Sequence, residues 1–186
     1  MGTVLTVVSQ KGGVGKTTTA INLASALARR GRKTLLVDVD PQGAVRHGVG
    51  LTGVDHPAGL SDVLSGTHQL QDVVLATPLP WLRVLLAGSV AELGEHETYH
   101  TEIARSPKLG ELFKRARARG YVVIVDTPPG LGAVTRRVLS HSQHVIVPLQ
   151  CEPLAIQTTT QILRAIQDAS AANPALVLDG ILLTML

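Results

Sequence analysis

Gly15, Lys16 and Thr17 stand together in the stretch Ser9 to Thr19, SQKGGVGKTTT, directly after the apolar run Val4, Leu5, Val7, Val8. A buried strand that breaks into glycines and reopens as a helix beginning Lys-Thr is built to hold phosphate. Gly12, Gly13 and Gly15 let backbone N–H groups around Val14 turn inward on an anion. Lys16 supplies a point charge for the outer phosphates, and Thr17, followed by Thr18, offers a hydroxyl to Mg²⁺ at the positive end of the helix. The strict pattern G-x-x-x-x-G-K-[ST] fails, because Gln10 occupies the position of its first glycine. A second lysine, Lys11, stands beside it, and one nucleotide has no evident need of that extra charge.

Three carboxylates complete the chemistry. Asp38 and Asp40 flank Val39 at the end of the apolar run Lys33 to Val37, and Asp126 closes the β-rich run Tyr121 to Val125. Acidic residues at the C-terminal ends of buried strands lie on the edge where open parallel sheets place their ligands, so Asp38 and Asp40 are expected to face the phosphates and Asp126 to serve Mg²⁺ as a Walker B residue.

The elements that must position these groups alternate. The spacing of Ala20, Leu23, Ala24, Leu27 and Ala28 predicts a helix ending at Arg29–Arg30 with Gly31 after it. Residues 44 to 60 have no period and are expected to be loop, Leu60 to Leu64 a short helix, Leu82 to Leu86 a third strand, and Glu92 to Glu102 either helix or loop. Ser106 is a good N-cap for a helix starting at Pro107, with Leu109, Leu112, Phe113 and Ala116 as its apolar stripe and Gly120 as its stop. Its other face bears Lys108, Lys114, Arg115, Arg117 and Arg119, which is expected to be solvated. A helix over about Val134 to Ser140, a strand from His144 to Pro148, a helix over about Leu154 to Ala171 and a strand from Gly180 to Thr184 follow. The fold expected is α/β: a three-layer, mainly parallel sheet with helices on both faces, in one P-loop domain spanning 1–186 that lacks its C-terminal segment.

Composition narrows the classes. The 186 residues are 45% hydrophobic, which is enough for one core, and a single cysteine excludes a disulfide framework or a four-cysteine metal site. That thiol, Cys151, is expected to be buried or structural, in a reducing cytosol. No stretch is apolar enough to span a bilayer. A formal charge of +3 permits nucleic-acid contact, while 2% aromatic content argues against a base-stacking platform. Three short motif matches are set aside: His96-Glu97-Thr98-Tyr99-His100 as a zinc site, Gly48 to Gly53 as a dinucleotide fingerprint, and Met1 to Thr6 as a myristoylation signal with no tether for Gly2.

KGGVGKTT at 11–18, DVDPQG at 38–43 and VVIVDTPPG at 122–130, with VPLQCEPLAI at 147–156 and the terminal GILLTML, together resemble the ParA/Soj branch of the deviant Walker A ATPases, whose relatives include MinD. The resemblance implies that Lys11 reaches across a nucleotide-sandwich homodimer to the partner's phosphates, and that Lys16 and Thr17 hold phosphates and Mg²⁺. Asp40 would position the attacking water, Asp126 would support the metal and Asp38 would assist there. It implies a slow Mg²⁺-dependent ATP hydrolase that dimerises on ATP, binds DNA without sequence preference mainly through basic helices in the missing C-terminal segment, and is stimulated by a ParB-like partner. Such a protein is cytoplasmic and nucleoid-associated. Ala44 departs from the Asn common after DPQG. Alternatives are a MinD-like membrane-positioning ATPase, a metabolic or kinase member of the P-loop group, and a nucleotide-binding fragment without turnover.

Overall fold

The computed structural model describes residues 2–51, 57–89, 96–151 and 155–185. In chain order these form β1 (Thr3–Val7), α1 (Lys16–Arg29), β2 (Thr34–Asp38), α2 (Ala44–Gly48), α3 (Leu60–Ser65), α4 (Leu70–Val73), β3 (Leu75–Ala76) and β4 (Leu82–Leu85). There follow α5 (His96–Arg105), α6 (Lys108–Ala118), β5 (Val122–Asp126), α7 (Ala133–Leu139), β6 (His144–Gln150), α8 (Ala155–Ala172) and β7 (Val177–Thr184). They build one seven-stranded sheet in the order β3-β4-β2-β5-β1-β6-β7, parallel except for the β3–β4 pair, as the α/β alternation predicts.

Strand sequences explain why both faces are covered. Along β5, Val123 and Val125 enter the core beneath α3, α5, α6 and α7, whereas Val122 and Ile124 enter the core beneath α1. β2 divides the same way, with Leu35 and Val37 on one side and Leu36 on the other. A strand with apolar residues on both sides of its pleat is stable only between two helical layers. Ala20, Ala24 and Ala28, four residues apart and buried, bring α1 close to the sheet and fix the direction from which its N-terminus meets the strand ends.

Several boundaries depart from the sequence reading. Ala44–Gly48 is helical where loop is expected, and α4 and the two-residue β3 went unanticipated, so LRVLL forms the fourth strand. α6 begins one residue late, with Pro107 at its N-cap position, yet Ser106 still caps it, its Oγ accepting from the Lys108 N–H at 3.2 Å. β7 begins at Val177, three residues before the predicted start. The ambiguous segment is helical from His96, with Tyr99 and Ile103 fully buried; its residues 92–95 lie outside the described ones. Cys151 is exposed, not buried. Gly2 is buried, with Arg117 backbone atoms against it.

Candidate functional site

Parallel pairing brings the sequence-predicted residues to one edge of the sheet. Asp126 closes β5 and lies in register with Val7 on β1 and with Asp38 on β2, so the two buried carboxyls end adjacent strands. The chain leaves β1 into the glycine loop, which is pinned from three sides. Ser9 Oγ donates to the Lys11 carbonyl at 2.8 Å, the Gly130 N–H donates to the Ser9 carbonyl at 2.9 Å, and the Thr184 hydroxyl of β7 donates to the Val14 carbonyl at 2.9 Å. Gly13 and Gly15 have φ of 78° and 89°, a left-handed backbone that residues with a Cβ adopt at a cost, and Gly15 is the N-cap of α1. α1 therefore begins at Lys16 with its first N–H groups directed toward the loop.

Lys16 is only 6% exposed and Thr17 half-buried, while Lys11, Gly12, Gly13 and Thr18 lie on the exposed rim. The two lysines thus occupy different places, one beneath the loop and one outside it.

The Asp38 and Asp40 carboxylates organise their own loop. Asp38 accepts from the Asp40 N–H at 3.0 Å on one oxygen and from the Val45 N–H at 3.2 Å on the other. Asp40, 7% exposed, accepts from the Gln42 N–H at 3.0 Å through Oδ1. The bond to Val45 helps form α2, since it holds an N–H of the first helical turn. Burial, then the charge of Asp126, raises the Asp38 pKa well above the usual carboxylate range.

Asp126 differs from both. Each of its oxygens is buried, and neither meets a donor at hydrogen-bonding geometry. Burial pushes its pKa up to about 6 in spite of the Thr17 hydroxyl and the Lys16 charge, which lie close enough to pull it down. A buried carboxylate with two open acceptor positions beside a hydroxyl and a lysine is a donor set for a hard divalent cation, which takes oxygen ligands. The residues present therefore fit Mg²⁺.

Two features were not anticipated. Tyr99 of α5 is fully buried, its hydroxyl lacks a partner, and burial followed by the charges of Asp38 and Asp40 raises its pKa. Tyr99 and Ile103, one turn apart, were the signal for it, hidden within a polar segment. A groove of about 810 Å³ also runs beside the loop between α1 and β7, bordered by Val14, Gly15, Leu23, Ile181 and Thr184.

Of the motif matches set aside, α5 carries Glu97 and His100 on its exposed side, while the His96 side chain lies outside the described residues. Gly48 closes α2 rather than opening a helix after a strand, and Thr52 and Gly53 lie outside the described residues.

Comparison with known proteins gives a consistent set. The AAA domain family matches residues 2–178. The chain is 40% identical over 190 residues to the chromosome partitioning protein ParA of Caulobacter vibrioides, covering 98% of this chain and 69% of that protein. It is 36% identical over 187 residues to the sporulation initiation inhibitor protein Soj of Bacillus subtilis, covering 100% of this chain and 74% of that one. Among solved structures, one described as cobyrinic acid a,c-diamide synthase from Mycobacterium smegmatis, with bound ATP analogue and magnesium, superposes with TM-score 0.81 at 35% identity, covering 98% of this chain and 75% of that chain.

Proposed function

This chain belongs to the ParA/Soj family of chromosome-partitioning ATPases, and we propose on that premise that it is a Mg²⁺-dependent ATP hydrolase serving DNA segregation. The observation that carries the nucleotide reading is Asp126, a buried carboxylate left with two unpartnered oxygens beside Lys16 and Thr17. Thr17 and Asp126 would hold Mg²⁺, which would supply charge neutralisation between nucleotide phosphates and protein.

The remaining residues have roles in positioning. Backbone N–H groups from Gly12 to Thr18 bind phosphate oxygens, aided by the α1 N-terminus, and Lys16 neutralises the outer phosphates. Asp40 orients the attacking water with the oxygen that its own loop leaves open. Asp38, whose two oxygens each accept from a backbone amide, supports the metal site by holding the Asp40 loop in place. Lys11, on the exposed rim, reaches the phosphates of a second copy, so ATP favours a homodimer. Phosphoryl transfer demands mainly placement and charge, and this constellation provides both. The dimer binds DNA without sequence preference, a ParB-like partner stimulates slow turnover, and the protein works in the cytoplasm on the nucleoid.

A second reading, ATP-dependent synthesis on cobyrinic acid, is favoured by the name of the 35%-identical structure. Duplex-DNA binding with ATP, with ADP and with neither separates the two. The segregation reading expects binding that requires ATP and weakens steeply with salt. Equal binding in ADP and ATP, or ATP turnover that needs cobyrinic acid, would sink it.

A further inference from the structure

On the basic face of α6, Lys108, Lys114, Arg115 and Arg119 are exposed, as expected from sequence, and Arg117 is half-buried. We propose that the groove between α6 and α7 is a contact site for the phosphodiester backbone of duplex nucleic acid, on a surface separate from the nucleotide loop. The proposal rests on the DNA reading above and adds a contact within residues 107–143 to the surface that the resemblance places in the C-terminal segment.

The groove has a volume of about 610 Å³, and its charged lining is Lys114 and Arg117 from α6, Arg137 from α7 and one acid, Glu111. Glu111 lies 3.7 Å from the exposed guanidinium of Arg115, so the acid's charge is partly engaged outside the groove. Arg117 and Arg137 are not ordinary surface cations. Both are half-buried, and the Nε of each is buried with no hydrogen-bond partner. Arg137 spends one donor on the Ser106 carbonyl, from Nη2 at 3.1 Å. Two partly desolvated guanidiniums facing one cleft with low-dielectric walls concentrate positive potential there, and an anion in the cleft offsets what they have lost in hydration.

His141 lies on the same wall. An added Cβ on Gly110 would stand 2.6 Å from Cε1 and 2.8 Å from Nε2 of its imidazole. A glycine inside a helix is less favourable than alanine, and here it admits this ring. Burial, then the charge of Arg137, lowers the His141 pKa, so the ring is a built-in reporter of added negative charge.

The polyanion is favoured over a single small anion because the charge continues past the groove. On the other flank of α6, Arg115 and Arg119 join Arg83 of β4 in a second groove of about 340 Å³. Six of the 17 Lys and Arg residues thus flank the C-terminal half of one helix. The helix dipole accounts for cations in an exposed last turn, but not for half-buried Arg117 or for Arg137 on another helix. Scarce aromatic residues favour backbone contact over base stacking.

The test measures binding of a fluorescent duplex to the full chain, with ATP, over a series of salt concentrations. In Lys114→Gln/Arg117→Gln the slope of log affinity against log salt becomes shallower by about two, with severalfold weaker binding at low salt and unchanged affinity for a fluorescent ATP analogue. Lys114→Glu, an exposed change that leaves packing intact, weakens binding in the same direction. The His141 ring resonance titrates at higher pH in the wild-type complex than in the free chain. Undiminished slope in both variants while the wild type binds DNA overturns this proposal alone. A wild type that binds no duplex overturns it together with the segregation reading. Capture of polyglutamate in place of duplex assigns the groove to an acidic polypeptide and likewise overturns it.

Discussion

Replacing Asp126 by Asn should stabilise the metal-free protein, and the gain should depend on pH. In the folded chain the carboxyl pKa rises from 3.8 to about 6, chiefly through burial. The folded state therefore holds this proton more tightly than the unfolded chain does. Stability falls as pH rises from about 4, and levels off above about 6. A shift of roughly two units corresponds to about 3 kcal/mol, with about half of it reached near pH 5. Asp38 adds in the same direction, because the Asp126 charge is one of the causes raising its pKa. The assay is urea unfolding of wild type and Asp126→Asn between pH 4 and pH 8, in chelator and without nucleotide. Any constant difference between Asn and the neutral acid cancels when the gap between the proteins is compared at the two ends of the range. Widening by about 2–3 kcal/mol toward high pH is expected. Mg²⁺ with ATP should then restore stability to the wild type and much less to the variant. A gap that does not change with pH would refute the claim that an uncompensated carboxylate is kept in place for a cation.

Asp40→Ala should retain ATP while single-turnover hydrolysis falls about 10²-fold or more, a scale typical of losing a proton-handling or water-orienting group. Lys11→Ala should stay monomeric by sedimentation when ATP is added, and ATP-driven dimerisation in that variant removes the proposed role in the second subunit. Tyr99→Phe deletes a buried hydroxyl with no partner, so the melting temperature should rise, by about 1 kcal/mol in stability terms; a fall would reveal a hydrogen bond to that group.

The phosphate loop, the paired acidic strand ends and the sheet they require were legible because each depends on local chemistry. Glycines, Lys16, Thr17 and strand-closing aspartates declare themselves within a few residues. What escaped notice depends on distant contacts. AVRHG is too short and too polar to announce a helix, and it is fixed by a hydrogen bond from the Val45 N–H to the Asp38 carboxylate at the end of β2. β7 begins early because Val177 and Leu178 pair with His144 and Val145; the register then shifts past Asp179, which bulges out of the ladder and contacts His144 at 3.0 Å. Tyr99 was missed because the exposed polar residues Glu97, Thr98 and His100 surround it in sequence. The groove beside α6 was not legible for a similar reason, since Arg137 and His141 reach it from another part of the chain.

The position of β1 at the centre of the sheet has a consequence for how the molecule comes into being. Residues 3–7 are made well before their partners, residues 122–126 and 144–146. The loop that follows β1 takes its place only when later segments arrive, because Gly130, just after β5, and Thr184 of β7 hold it. Pairing across such separations costs loop-closure entropy before any contact rewards it. The loop that β1 leads into is therefore completed late, and an apolar strand waits unpaired until residues 122–146 are made.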